Sequence, residues 1–127
     1  MIGIVVVAHG GLAKEYLHAV EHVVGRQAGI VAISIEPDHD RQQKQDEICD
    51  AANAVDTGCG VVMVTDMFGS SPSNLSLRAC QPENRKIIYG ANLPMLVKLA
   101  KSRHLLVQEA VSTALAAGRK YIDSCDG

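Results

Sequence analysis

The stretch Gly3-Ile4-Val5-Val6-Val7-Ala8-His9-Gly10-Gly11 constrains the fold more than any other part of the chain, because a charge-free, β-branched run stops abruptly on a histidine and two glycines. A run that is apolar at every position has no solvated face, which marks a strand buried on both sides in a parallel sheet covered by helices. His9 then stands at the carboxyl end of that strand. Ligands of open α/β sheets bind in the crevice beyond those ends, so the position favours chemistry. A histidine that merely closes a strand is the plainer alternative.

The rest of the chain repeats the alternation of strand and helix. Leu12, Tyr16, Leu17, Val20, Val23 and Val24 recur at helical spacing, and Gly25 is a natural C-terminal stop. Ile30 to Ile35 is a second apolar run. A polar helix from about Asp40 to Val55 follows, with Ile48, Ala51, Ala52 and Val55 as a narrow apolar stripe. Cys59 to Thr65 reads as a third strand, ending on Asp66. Ser71 before Pro72 then signals a helix start, predicting a helix to about Cys80. Lys86 to Tyr89 is a short fourth strand, ending at Gly90-Ala91-Asn92, and Pro94 opens a helix through about Ser102. Leu105 to Ala117 is a last helix stopped by Gly118, and Arg119 to Ile122 reads as a short final strand.

This order predicts an α/β fold: a three-layer, doubly wound, mainly parallel sheet of about four parallel strands plus a short C-terminal strand. At 127 residues, with 47% hydrophobic and 20% charged residues, the chain fits one domain spanning residues 1–127. Three Tyr, one Phe and no Trp require an aliphatic core and leave little to stack on nucleic-acid bases. The formal charge of -2, with no Lys/Arg cluster, offers no field for phosphate backbones, so nucleic acid is excluded as a partner. No apolar stretch approaches the ~20 residues needed to span a membrane, and the start lacks the features of a signal peptide, which predicts a cytoplasmic protein without membrane insertion. Cys49, Cys59, Cys80 and Cys125 form no CxxC pair and read as reduced packing groups, with a single disulfide as the alternative.

Three strand ends, at His9, Asp66 and Gly90-Ala91-Asn92, fall along one edge of such a sheet. A carboxylate that accepts the hydrogen of one ring nitrogen fixes the imidazole tautomer and leaves the other nitrogen's lone pair outward. Asp66 is the candidate orienter for His9, unless it only ends its strand and caps the next turn. A phosphoryl group arriving on His9 needs donors for its oxygens. Gly10 and Gly11 offer backbone amides, Ser70 and Ser71 offer hydroxyls, and Asn92 offers an amide from the third loop. No Walker-type lysine and no GxGxxG follow the first strand, so no nucleotide cofactor is indicated. His18 and His22 stand four apart on the first helix but read as a solvated face, and no metal is expected. His39, in a charged loop, and His104, near a helix boundary, have no chemical context in the sequence.

Three motifs carry a resemblance to a known family: Val7-Ala8-His9-Gly10, Val64-Thr65-Asp66-Met67-Phe68-Gly69-Ser70-Ser71-Pro72-Ser73-Asn74, and Gly90-Ala91-Asn92-Leu93-Pro94-Met95-Leu96. In this order they resemble the mannose-type enzyme IIA domain of the bacterial phosphoenolpyruvate-dependent sugar phosphotransferase system, over nearly the whole chain. The resemblance implies a phosphotransferase component that takes a phosphoryl group from the phosphocarrier protein HPr on His9 and passes it to a IIB domain, for uptake of mannose- or fructose-class sugars. It further implies a hydrogen bond donated by the other ring nitrogen to Asp66, association with membrane IIC/IID subunits, and a homodimer that exchanges a C-terminal strand, here Arg119-Lys120-Tyr121-Ile122. The chain ends at Gly127 without a linker to a IIB domain, which suits a stand-alone IIA. Phe68 and Ser70 depart from the residues expected in sugar transporters, so no sugar specificity is implied.

Two other readings compete with sugar uptake. A stand-alone regulatory relay would use the charge of about -1.5 to -2 that a phosphoryl group adds to gate a partner protein. A metal-inserting chelatase shares the strand-His-Gly start, but Asp66 with Asn92 is a poor zinc set.

Overall fold

The computed structural model of the chain describes residues 1–67, 74 and 82–127. Four strands, β1 (Gly3–His9), β2 (Ile30–Ile35), β3 (Val61–Thr65) and β4 (Arg85–Tyr89), form one parallel sheet in the order β2-β1-β3-β4. The helices described are α1 (Leu12–Val24), α2 (Arg41–Val55), α3 (Leu93–Lys101) and α4 (Val107–Lys120). Apart from Asn74, which is helical, the expected helix between Pro72 and Cys80 lies outside the described residues, as do Ser70 and Ser71.

The unbroken apolar character of β1 has the consequence expected of it. Because successive side chains point to opposite faces, Ile4, Val6 and Ala8 enter a core with α1, α3 and α4, while Val5 and Val7 enter a second core with α2. Helices therefore cover both faces, and the sheet is the middle layer of three. β2 pairs with one side of β1 and β3 with the other, so the winding reverses between β1 and β3. That reversal opens the crevice in which doubly wound sheets bind their ligands.

Local sequence sets the helix ends beside this edge. The Asp40 side chain accepts a hydrogen bond from the Gln43 amide and starts α2, and the Asn92 side chain accepts one from the Met95 amide and starts α3, with Pro94 in its first turn.

Several expectations are corrected. β3 begins at Val61, not Cys59, and β4 at Arg85, whose buried guanidinium bonds Asn53 Oδ1 and Asp56 Oδ2. Gly118 does not stop α4. It is buried inside the helix, where α4 passes so close to α3 that a Cβ at Gly118 would stand 2.9 Å from Met95 Cβ. The final strand is not formed in the single chain: Arg119 and Lys120 form the last turn of α4, and Tyr121 and Ile122 follow it as exposed chain. Continuing the helix keeps its backbone bonds within the segment, whereas a strand needs a neighbouring edge to pair with. Of the cysteines described, only Cys49 packs against a core; Cys59 and Cys125 are exposed thiols. No helix among the described residues is long and apolar enough to cross a membrane.

Candidate functional site

β1 delivers His9 to the crevice beside β3, and Asp66 follows β3 directly. The two side chains meet at the point where the winding reverses. Asp66 Oδ2 accepts from the His9 ring at Nδ1, 2.8 Å away, and from the His9 main-chain amide at 3.1 Å. Two bonds to one oxygen fix both the ring and the backbone that carries it. The His9 side chain is 50% exposed and Asp66 only 11%, so the imidazole faces solvent from a carboxylate that is largely covered.

Burial, the largest single influence on Asp66, pushes its carboxyl up. The bonds from the His9 ring and amide and the charge of His9 together outweigh it, so the carboxyl is held below the ordinary aspartate range. Asp66 is therefore an acceptor at neutral pH, which puts the hydrogen on His9 Nδ1 and leaves the Nε2 lone pair outward. Asp66 Oδ1 and Thr65 Oγ1 are buried without a hydrogen-bond partner among the described residues.

The surrounding loops are tied together by main-chain bonds. The Gly10 amide donates to Ile35 O at 2.9 Å, joining the turn after β1 to the end of β2, and the Ala91 amide donates to Thr65 O at 3.1 Å. Gly10 has φ +56, the left-handed conformation that favours glycine at the turn behind His9. Its amide is thereby engaged by Ile35 rather than free for an anion. Gly11 is the N-cap of α1 and supplies no side-chain cap, so the first amides of α1 have no capping side chain.

Asn92 is at the expected loop, yet both its polar atoms are taken: Oδ1 caps α3, and Nδ2 donates to Gly118 O at 2.9 Å. In this structure its side chain joins α3 to α4. Tyr16, read in the sequence only as part of an apolar face, sends its hydroxyl to Ala91 O at 3.1 Å. Burial first, and then the negative charge of Asp66, raise its phenol above the ordinary value. Tyr16 thus braces the third loop from α1.

An open depression of about 510 Å3 adjoins His9, lined also by Gly10, Ile35, Glu36, Pro37 and His39. His39 carried no signal in the sequence, because its approach to His9 depends on β2 lying beside β1. His18 pairs at 3.7 Å with Glu15 on the exposed face of α1. Among the described residues no group of three or more His, Cys, Asp or Glu is arranged to hold a metal.

Comparison with known proteins bears on the family and the fold. The family model described as the PTS system fructose IIA component, EIIA-man, matches residues 3–117. The mannose-specific EIIAB component of Escherichia coli K12 is 30% identical over 124 residues, which cover 95% of this chain. The chain spans 38% of that relative's length. The sorbose-specific EIIA component of Lacticaseibacillus casei is 28% identical over 123 residues, covering 95% of this chain and 88% of the relative. In fold, the crystal structure of phosphotransferase system component EIIA from Streptococcus agalactiae superposes with a TM-score of 0.87 at 23% identity, covering 98% of this chain and 97% of that one. The chain belongs to the mannose-type IIA family of the sugar phosphotransferase system.

Proposed function

We propose that this protein is a phosphocarrier whose His9 Nε2 accepts a phosphoryl group from HPr and passes it to a IIB domain, in the cytoplasmic part of a mannose- or fructose-class sugar uptake system. The observation that carries this reading is the bond between His9 Nδ1 and Asp66 Oδ2, which leaves one outward nitrogen on a half-exposed ring.

The chemistry is a direct exchange of one P–N bond for another. The Nε2 lone pair of His9 attacks phosphorus in line, the P–N bond of the donor histidine breaks, and the donor ring leaves with that electron pair. No net proton moves. As the bond forms, the His9 ring gains positive charge, and the ionised Asp66 beside Nδ1–H stabilises it. Phosphoryl transfer asks little covalent work of the protein, so catalysis rests on position and on compensating charge. The uncapped amides at the start of α1 are suited to the phosphoryl oxygens. Ser70 and Ser71, from the motif following Asp66, belong to the same proposed pocket.

A half-exposed ring suits a carrier, since the phosphoryl group must be reached by two partner proteins in turn. A homodimer joined through the C-terminal segment is part of the same reading, as is work alongside membrane IIC/IID subunits. The test is incubation with phosphoenolpyruvate, enzyme I and HPr, read by intact mass. One added phosphoryl group on the wild type and none on His9→Ala is expected. A wild type left unmodified where a reference IIA is phosphorylated sinks the proposal.

A further inference from the structure

His39 is a second imidazole at the same depression as His9, and the proposed function gives it no part. Its position follows from the fold. The strands β1 and β2 pair with His9 opposite Ile35, and the chain turns immediately afterwards at Glu36-Pro37-Asp38-His39. The His39 amide closes that turn on Glu36 O at 3.3 Å, and His39 Nδ1 also pairs with Glu36 O. A carbonyl only accepts, so Nδ1 carries hydrogen and Nε2 is the nitrogen left without a partner among the described residues. His39 is half-buried in this turn, which restricts the ring while leaving it on the cavity wall.

The charges around the cavity give this nitrogen a task. Glu36 lines it, Asp66 stands behind His9, and Asp38 and Asp40 flank His39 in the chain, although Asp40 is engaged in capping α2. Among the described residues the lining contains no Lys or Arg. A phosphoryl group brought to His9 adds about -1.5 to -2 charge to a wall that is already acidic. Among the described residues, His39 is the one lining side chain besides His9 able to carry positive charge.

We propose that His39 is a second phosphoryl-binding residue: once His9 is phosphorylated, His39 takes a proton from solvent at Nε2 and donates it as a charge-assisted hydrogen bond to a phosphoryl oxygen. This rests on His9 being the phosphoryl acceptor. The bond holds electron density on the phosphoryl oxygens, opposes departure of the group toward water, and lengthens the lifetime of the P–N bond between encounters.

The test uses potassium phosphoramidate, which modifies histidine without any partner protein. His9 Nε2 attacks phosphorus, the P–N bond of the reagent breaks, and ammonia leaves with the proton it requires. Wild type, His39→Ala and His39→Gln are modified, and the loss of phosphate to water is followed by 31P NMR together with the His39 ring resonances. The lifetime of phosphorylated His9 should shorten about 5- to 10-fold in His39→Ala. The amide of His39→Gln, a neutral donor, should restore part of it and keeps the comparison intact if the alanine variant misfolds. In the wild type the His39 ring should move to its protonated position at neutral pH on phosphorylation. Equal lifetimes with unmoved ring resonances overturn the proposal, and so does a wild type that phosphoramidate does not modify at His9. A protein that holds the group through His39 yet never receives it from HPr supports this inference and overturns the carrier reading.

Discussion

Asp66 Oδ2 accepts both the ring Nδ1–H and the main-chain N–H of His9, at 2.8 and 3.1 Å. One oxygen thus sets the tautomer of the imidazole and anchors the strand end from which it projects.

Asp66→Asn separates these roles. The amide oxygen can still accept from the His9 main chain, but it cannot neutralise the positive ring that forms during transfer. Rapid-quench measurement of transfer from phosphorylated HPr should give a rate lower by about 10- to 1000-fold, equivalent to ~1.4 to 4 kcal/mol in the barrier. Circular dichroism should show the fold unchanged. An unaltered rate would reduce Asp66 to a structural group.

The depressed carboxyl of Asp66 also has a pH signature in stability. An aspartate whose folded-state pKa lies below its unfolded value favours the folded protein while ionised. That contribution is complete above the ordinary aspartate value of about 3.9 and is lost as pH falls through the lower folded value. Urea unfolding of wild type and Asp66→Asn should therefore show a difference that shrinks as pH falls below about 4. A difference that instead grows below that pH contradicts the assigned direction.

The central strand ends and their polar groups were legible because they depend on local pattern. The all-apolar β1, the glycine behind His9 and the position of Asp66 after β3 each leave a mark within a few residues. What escaped depends on neighbours distant in sequence. Gly118 looked like a helix stop because a glycine at that point usually is one, and only the approach of α3 gives it a place inside α4. Asn92 looked available to a ligand until the Gly118 carbonyl took its amide. His39 had no motif at all, since its relation to His9 comes from the pairing of β1 with β2. The helical end of Arg119 and Lys120 escaped for a related reason: a tetrapeptide says nothing about which sheet edge, if any, is offered to it.

The contact between α3 and α4 makes Gly118→Ala informative. In an exposed helix interior alanine gains about 1 kcal/mol over glycine. Here the added Cβ would stand 2.9 Å from Met95 Cβ and 3.3 Å from Asn92 Oδ1, and the Asn92 amide also bonds the Gly118 carbonyl. Overpacking of this kind costs about 1–3 kcal/mol, so the clash should win and the variant should lose roughly 1 kcal/mol net. The urea midpoint is the measurement, and a midpoint at or above that of wild type means that the helices separate at no cost.

The C-terminal segment supplies the last prediction. Tyr121 and Ile122 are 66% and 74% exposed in the single chain, an unfavourable place for two large side chains next to each other. A cavity of about 280 Å3 lies nearby, lined by Ile87, Tyr89 and Gly90 of the β4 region and by Met95, Leu115 and Ile122. If a second copy exchanges its C-terminal segment, that segment finds the β4 sheet edge and the apolar lining of this cavity at once. Light scattering coupled to gel filtration should then return twice the 13.5 kDa chain mass, and removal of residues 121–127 should return the monomer with the sheet intact. A wild type that stays monomeric at micromolar concentration removes the exchanged strand from the account, while a truncated protein that still dimerises moves the interface to another face.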